Sequence, residues 1–218
     1  MYHCPVTIRG FLGSALISLS AVTVTAAQTQ PAPPLTSAPL AGIPEVRPVN
    51  HVTSLTLLAN KSPDGNAGME YDGARVPPII RIWPGDHIRI AYVNQLPVHS
   101  TEKCALGICK DMTNLHFHGM QVSPKAPQDD ILTMLAAPGQ TLQYDVAVPS
   151  IHSPGLFWYH THPHGESEEQ DLDGMSGAIV VEGIDRYVPQ VRGLRERVMV
   201  IRTMDITKHF PGLQQTLA

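Results

Sequence analysis

Charge is scarce in this 218-residue chain: Asp, Glu, Lys and Arg make up 16% of it, and 15 Lys and Arg against 19 Asp and Glu leave no basic excess. A chain without a basic face is a poor partner for nucleic acid. Long apolar runs are missing too. The longest uncharged apolar stretch, Phe11 to Val24, has 14 residues, short of the roughly 20 that span a bilayer, so stable membrane insertion is not expected. Cysteine is limited to Cys4, Cys104 and Cys109, too few for a disulfide-dense scaffold, and a chain of this length can bury a core without many disulfides. Amphipathic helices of ordinary length are also absent. What abounds is 20 Pro, 17 Gly and 11 His. The first two predict a turn-rich β globule. The histidines are the feature to explain, because His116, His118, His152, His160, His162 and His164 fall within 49 residues.

Residues 1–27 have the layout of a secretory signal peptide: Arg9, then the apolar run, then Val24-Thr25-Ala26-Ala27, with cleavage expected after Ala26 or Ala27. The expected location is therefore secreted or periplasmic. Cys4 would leave with that segment. Cys104 and Cys109 would then form a local disulfide in an oxidising compartment. A thiolate metal site is the alternative, although neither cysteine has histidines at zinc-finger spacing.

Residues 28–48 are rich in Pro, Ala, Thr and Ser and read as an extended, mobile leader. From residue 49 to 185 short apolar or alternating runs predict strands at Val52–Leu58, Val76–Trp83, His87–Asn94, Thr113–His118, Thr141–Val148, Leu156–His160 and Ala178–Glu182. Turn signals such as Pro84-Gly85-Asp86 and Ser153-Pro154-Gly155 separate them. Seven short strands of this kind predict an antiparallel sandwich or barrel. Residues 186–218 read as a charged linker and a further strand, Val198–Ile206. That strand is expected to be either the seam of this domain or the first strand of a second, truncated one.

Two histidine pairs share a pattern, Leu115-His116-Phe117-His118-Gly119 and Trp158-Tyr159-His160-Thr161-His162. On a strand, residues i and i+2 face the same way, so each pair sets two imidazoles side by side. Their rise of roughly 7 Å along the strand suits neighbouring ions better than one chelated ion. Neutral imidazole serves copper, zinc, iron and nickel alike. A zinc hydrolase site with three His and an open position is one alternative. It lacks the carboxylate at helical spacing that a His-Glu-x-x-His motif would bring.

The stretches Thr113-Asn114-Leu115-His116-Phe117-His118-Gly119-Met120 and Gly155-Leu156-Phe157-Trp158-Tyr159-His160-Thr161-His162-Pro163-His164-Gly165 closely resemble the two histidine motifs of the multicopper oxidases. Trp83-Pro84-Gly85-Asp86, Pro138-Gly139-Gln140-Thr141 and Gly174-Met175-Ser176-Gly177 resemble that family as well. The resemblance covers about Val49 to Gly183 and implies the family's N-terminal domain, an all-β, Greek-key β-sandwich of the cupredoxin-like kind. It further implies copper as cofactor and dioxygen as acceptor. His116 matches the type 2 copper ligand, and His118, His160 and His162 match ligands of the type 3 pair. His164 follows the ligands without being one, and His152, in a Pro/Gly loop, reads as solvated.

Relatives carry, after the first motif, an acid that helps deliver protons. Asp129 and Asp130 are the candidates for this relay, with a solvated turn as the other reading. Glu166, Glu168, Glu169, Asp171 and Asp173 read as a solvent face. The resemblance supplies half of the trinuclear ligands and no type 1 copper site, since no cysteine follows the motifs. The expected function is thus the copper-binding N-terminal part of an oxidase whose remaining domains lie on another chain. The alternative is a non-catalytic periplasmic module that binds and sequesters copper.

Overall fold

A computed structural model describes residues 42–61, 67–98, 104 and 107–200. The signal peptide expected at residues 1–27, most of the leader, and the Ile201–Ile206 part of the last expected strand lie outside the described residues. Val198–Val200 are described and have no regular structure.

Among the described residues nine strands build two sheets. They are β1 (Glu45–Val46), β2 (Val52–Lys61), β3 (Ala67–Glu70), β4 (Ile79–Ile82), β5 (His87–Asn94), β6 (His116–His118), β7 (Thr141–Ala147), β8 (Gly155–His160) and β9 (Ser176–Val181). One sheet has the order β1-β4-β9-β8-β6, the other β3-β2-β5-β7. Two short helices complete the fold, α1 (Ser167–Leu172) and α2 (Ile184–Tyr187). The seven strands expected between residues 49 and 185 all recur, His87–Asn94 with the same ends and the others with shifted ones. Two short strands are additions: β1 inside the expected leader, pairing with β4, and β3, pairing with β2.

The strand directions correct the expectation of an antiparallel sandwich. β1–β4, β4–β9 and β2–β5 are parallel, and the other pairs are antiparallel. Alternation along a strand encodes which face is buried and carries no information about the neighbour's direction. Here the chain leaves β2, crosses to the other sheet for β4, and returns as β5 beside β2 in the same sense.

Alternating residues from both sheets fill the space between them. Leu55, Leu57, Ile80, Ile82, Ile88, Ile90, Tyr92, Phe117, Tyr144, Val146, Tyr159 and Ile179 form a single core. Tyr92 and Tyr144 sit in it with their hydroxyls bonded, Tyr92 to Thr113 Oγ1 at 2.9 Å and Tyr144 accepting the Leu115 N–H at 2.8 Å. Burial pushes both phenols well above their usual range, so they stay neutral and fix the segment that leads into β6.

The outer face of the five-stranded sheet is partly covered. Ile79, Ala178 and Val180 form a second cluster with Ile43 and Val198. Beside it Arg81, 6% exposed, meets Glu45, Glu182 and Glu196. These contacts pin β1 and the segment after α2 to β4. Next to them Gly177 lies opposite Tyr159, whose hydroxyl donates to the Pro78 carbonyl at 2.8 Å. A Cβ at Gly177 would come within 2.3 Å of the Tyr159 ring. Gly177→Ala is expected to lower stability by about 1–3 kcal/mol through forced displacement of that ring, read as a fall in Tm with secondary structure retained.

Candidate metal centre

The pairing of β6 with β8 sets His116 opposite His160, Phe117 opposite Tyr159 and His118 opposite Trp158. Phe117 and Tyr159 are fully buried in the core, so the period of two sends His116, His118, Trp158 and His160 to the other face. His162 follows just beyond the end of β8, where its backbone N–H donates to Asn114 Oδ1 at 2.8 Å. One asparagine thus ties the second motif to the first.

The imidazoles are closer than strand rise alone suggests. His116 and His118 have ring centroids 5.4 Å apart, His116 and His160 5.3 Å, His118 and His160 5.4 Å, and His116 and His162 5.3 Å. Ligand nitrogens of His116, His118 and His160 all lie within 4.8 Å of one another. The expected separation of roughly 7 Å counted only backbone rise. The side chains lean together, and the cluster can serve a shared ion as well as adjacent ones.

Hydrogen bonds decide which nitrogens face the cluster. His116 Nδ1 lies 3.0 and 3.1 Å from the two Asp129 oxygens, and Asp129 Oδ1 also accepts the Phe117 N–H at 3.0 Å. His160 Nδ1 lies 2.9 Å from the Thr161 carbonyl oxygen and 2.9 Å from Asp171 Oδ2. Carbonyl and carboxylate oxygens accept, so both histidines carry their proton on Nδ1 and leave Nε2 as a lone-pair donor. His118 turns Nδ1 toward His160 Nε2 at 3.3 Å. Trp158 stacks on both rings, 4.1 Å from His160 and 4.8 Å from His118.

Copper fits this donor set. Imidazole nitrogen is among its preferred ligands, and the second nitrogens of His116 and His160 are anchored as ligating histidines require. His162 Nδ1 is buried without a hydrogen-bond partner, a lone pair or N–H that a bare protein would leave unsatisfied at a cost. Burial, reinforced by the neighbouring imidazoles, holds the pKa values of His118 and His162 below the usual histidine value. Both therefore stay neutral to lower pH than an ordinary histidine, the state that ligation needs.

The remaining sequence candidates fall elsewhere. Asp130 caps a turn, accepting from the Leu132 and Thr133 backbone N–H groups and the Thr133 hydroxyl. His164 is exposed, its ring 5.6 Å from that of His162. His152, expected to be solvated, is 2% exposed. Its Nε2 accepts the Gln121 N–H at 3.0 Å and its Nδ1 donates to the Ser153 carbonyl at 2.8 Å. A loop histidine surrounded by Pro and Gly looks solvated in sequence because one partner of its ring is a backbone group from another segment, Gln121. The acidic run is also more than a solvent face. It folds as α1, where Gln170 is buried and Asp171 reaches His160. Cys104 and Cys109 are joined as a disulfide, so neither offers a thiolate to a metal.

The family model that matches residues 58–185 is described as multicopper oxidase, and the chain belongs to that family. The multicopper oxidases mco of Staphylococcus haemolyticus and Staphylococcus aureus are each 24% identical over 112 residues, which is 51% of this chain and 21% of theirs. The chain thus covers about a fifth of the length of these curated relatives. Among solved structures, a multicopper oxidase from Campylobacter jejuni aligns with a TM-score of 0.51 at 23% identity, over 66% of this chain and 29% of its own. A laccase-like multicopper oxidase from Ochrobactrum sp. aligns with 0.51 at 24%, over 73% and 32%. These likenesses bear out the cupredoxin-like sandwich.

Two measurements test the site as described. Protons compete with metal for imidazole, so Cu(II) affinity, followed by titration against a competing chelator, is expected to fall with acidification. Because the pKa values of His118 and His162 are lowered, their share of that fall lies below the usual histidine value of about 6.5, and titration of either imidazole above it in the metal-free chain would contradict the burial. His152→Ala removes a buried ring together with its bonds to the Gln121 N–H and the Ser153 carbonyl and is expected to destabilise the fold by about 1–3 kcal/mol while Cu(II) stoichiometry stays unchanged.

Proposed function

We propose that this chain supplies the N-terminal half of the trinuclear copper centre of a multicopper oxidase, with His116 as the type 2 ligand and His118, His160 and His162 as ligands of the type 3 pair. The observation that carries this reading is the convergence of imidazoles from two strands onto one face, with the far nitrogens of His116 and His160 held by acceptors. Bound copper would supply the one-electron chemistry through which dioxygen is reduced to water by four electrons. The protein's part is to hold lone pairs in place and to govern protons. Asp129 keeps the His116 proton on Nδ1, and its oxygens are the nearer of the two candidate carboxylates for passing a proton at that atom. Asp130, spent on capping its turn, is the weaker candidate.

Electron entry from a reducing substrate is assigned to the remaining oxidase domains, on another chain or in sequence beyond the matched region. Leu156, 64% exposed, and Met199, 73% exposed, flank Trp158 beside the imidazoles. This apolar border favours a protein surface closing over the histidine face. The disulfide favours an oxidising compartment, secreted or periplasmic. Among the described residues no helix is long and apolar enough to cross a membrane.

Metal analysis of the purified chain after Cu(II) loading and desalting tests the reading. Bound copper is expected in the parent and lost when His116, His118, His160 and His162 are replaced together by alanine. Retention of copper by that variant would refute the ligand assignment. Under air the isolated chain is expected not to oxidise a phenolic substrate, and turnover would refute the assignment of electron entry to other domains.

A further inference from the structure

Two histidines from different motifs, paired across the β6–β8 ladder, each have a carboxylate at Nδ1. His116 has Asp129, and His160 has Asp171, with Oδ2 at 2.9 Å. Asp129 comes from the loop after β6, whereas Asp171 comes from α1, an acidic segment with no histidine-like or turn-like signature. Its setting is built. Neighbouring Gln170 is buried, donating Nε2–H to the Met112 carbonyl at 2.8 Å and accepting the Thr113 hydroxyl at 3.0 Å. Asp173, on the other side, accepts the Ala67 N–H at 3.0 Å. Helix α1 is held on both flanks of Asp171, whose second oxygen lies 3.5 Å from the Thr161 hydroxyl.

We propose that Asp171 is a positioning residue for the metal centre, the counterpart of Asp129, setting the orientation and basicity of His160 as a ligand. This rests on the copper reading above. The Thr161 carbonyl lies at the same distance from Nδ1 and already fixes the tautomer. What Asp171 adds is a negative charge behind the imidazole, which strengthens Nε2 as a donor and offsets the charge of a bound cation. Removing the charge while keeping the shape should therefore weaken metal binding without changing which nitrogen binds.

Cu(II) alone is the probe, titrated against a competing chelator and followed by electron paramagnetic resonance, with metal-free Tm as the fold control. Asp171→Asn is expected to bind Cu(II) about 10–100-fold more weakly, with altered Cu(II) hyperfine parameters and a metal-free Tm close to the parent's. Asp171→Glu, which keeps the charge, should recover most of the affinity, and it carries the test if the asparagine variant unfolds. Glu168→Gln removes an exposed charge from the same helix and should leave both affinity and spectrum unchanged. Parent-like binding by Asp171→Asn, an equal loss in Glu168→Gln, or no recovery in a folded Asp171→Glu would overturn the proposal while leaving the copper reading intact. Failure of the parent chain to bind Cu(II) through its histidines would overturn both.

Discussion

The register between β6 and β8 is the constraint on which the site depends. His116 faces His160 because Phe117 faces Tyr159, and both of these aromatic side chains are fully buried. A slip of one residue would send the imidazoles into the core and the aromatic rings to the surface. That exchange would bury unpaired polar rings and expose large apolar ones, a penalty of several kcal/mol by ordinary transfer values. Hydrophobic packing on the hidden face thus sets the geometry of the polar face, and the metal centre inherits its precision from the core.

Polar contacts then refine what packing sets. Tyr144 holds the Leu115 backbone, Asn114 holds the His162 backbone, and Asp129 holds both Phe117 N and His116 Nδ1. Each of these side chains joins segments far apart in sequence, so the cluster is assembled only when the sandwich closes. Gly177 contributes by its lack of a side chain, letting the Tyr159 ring lie across β9. The imidazoles are therefore preorganised without metal, which lowers the ordering cost of binding.

Local periodicity made much of this legible in sequence. The period of two in Leu115-His116-Phe117-His118 and Trp158-Tyr159-His160 placed three histidines on one face, and the turn signals bracketed most strands correctly. Three things were hidden because they depend on distant partners. Strand direction is one, since Val52–Lys61 alternates in the same way beside a parallel or an antiparallel neighbour. The burial of His152 is another, satisfied by the Gln121 and Ser153 backbones. The third is α1, whose acidic residues resemble any solvated run until Gln170 is found buried at Met112 and Thr113. Spacing could have hinted at it, because Gln170 interrupts a run of five acids with a residue able to satisfy two backbone or hydroxyl partners at once.

Charge accounts for why carboxylates accompany these histidines at all. A cluster of neutral imidazoles is a weak electrostatic host for several cations, and the mutual repulsion of bound ions rises as solvent is excluded. Placing the counter-charges among the ligands would consume coordination positions and favour harder, oxygen-loving ions. Placing them behind Nδ1 keeps the cluster-facing donors nitrogenous while the negative charge remains one ring away. Asp129 and Asp171 have that placement behind histidines that stand on opposite strands of one ladder. The sheet thereby offers a nitrogen surface with an acidic backing, so that under the proposed copper reading affinity and selectivity would be drawn from different layers of the same fold.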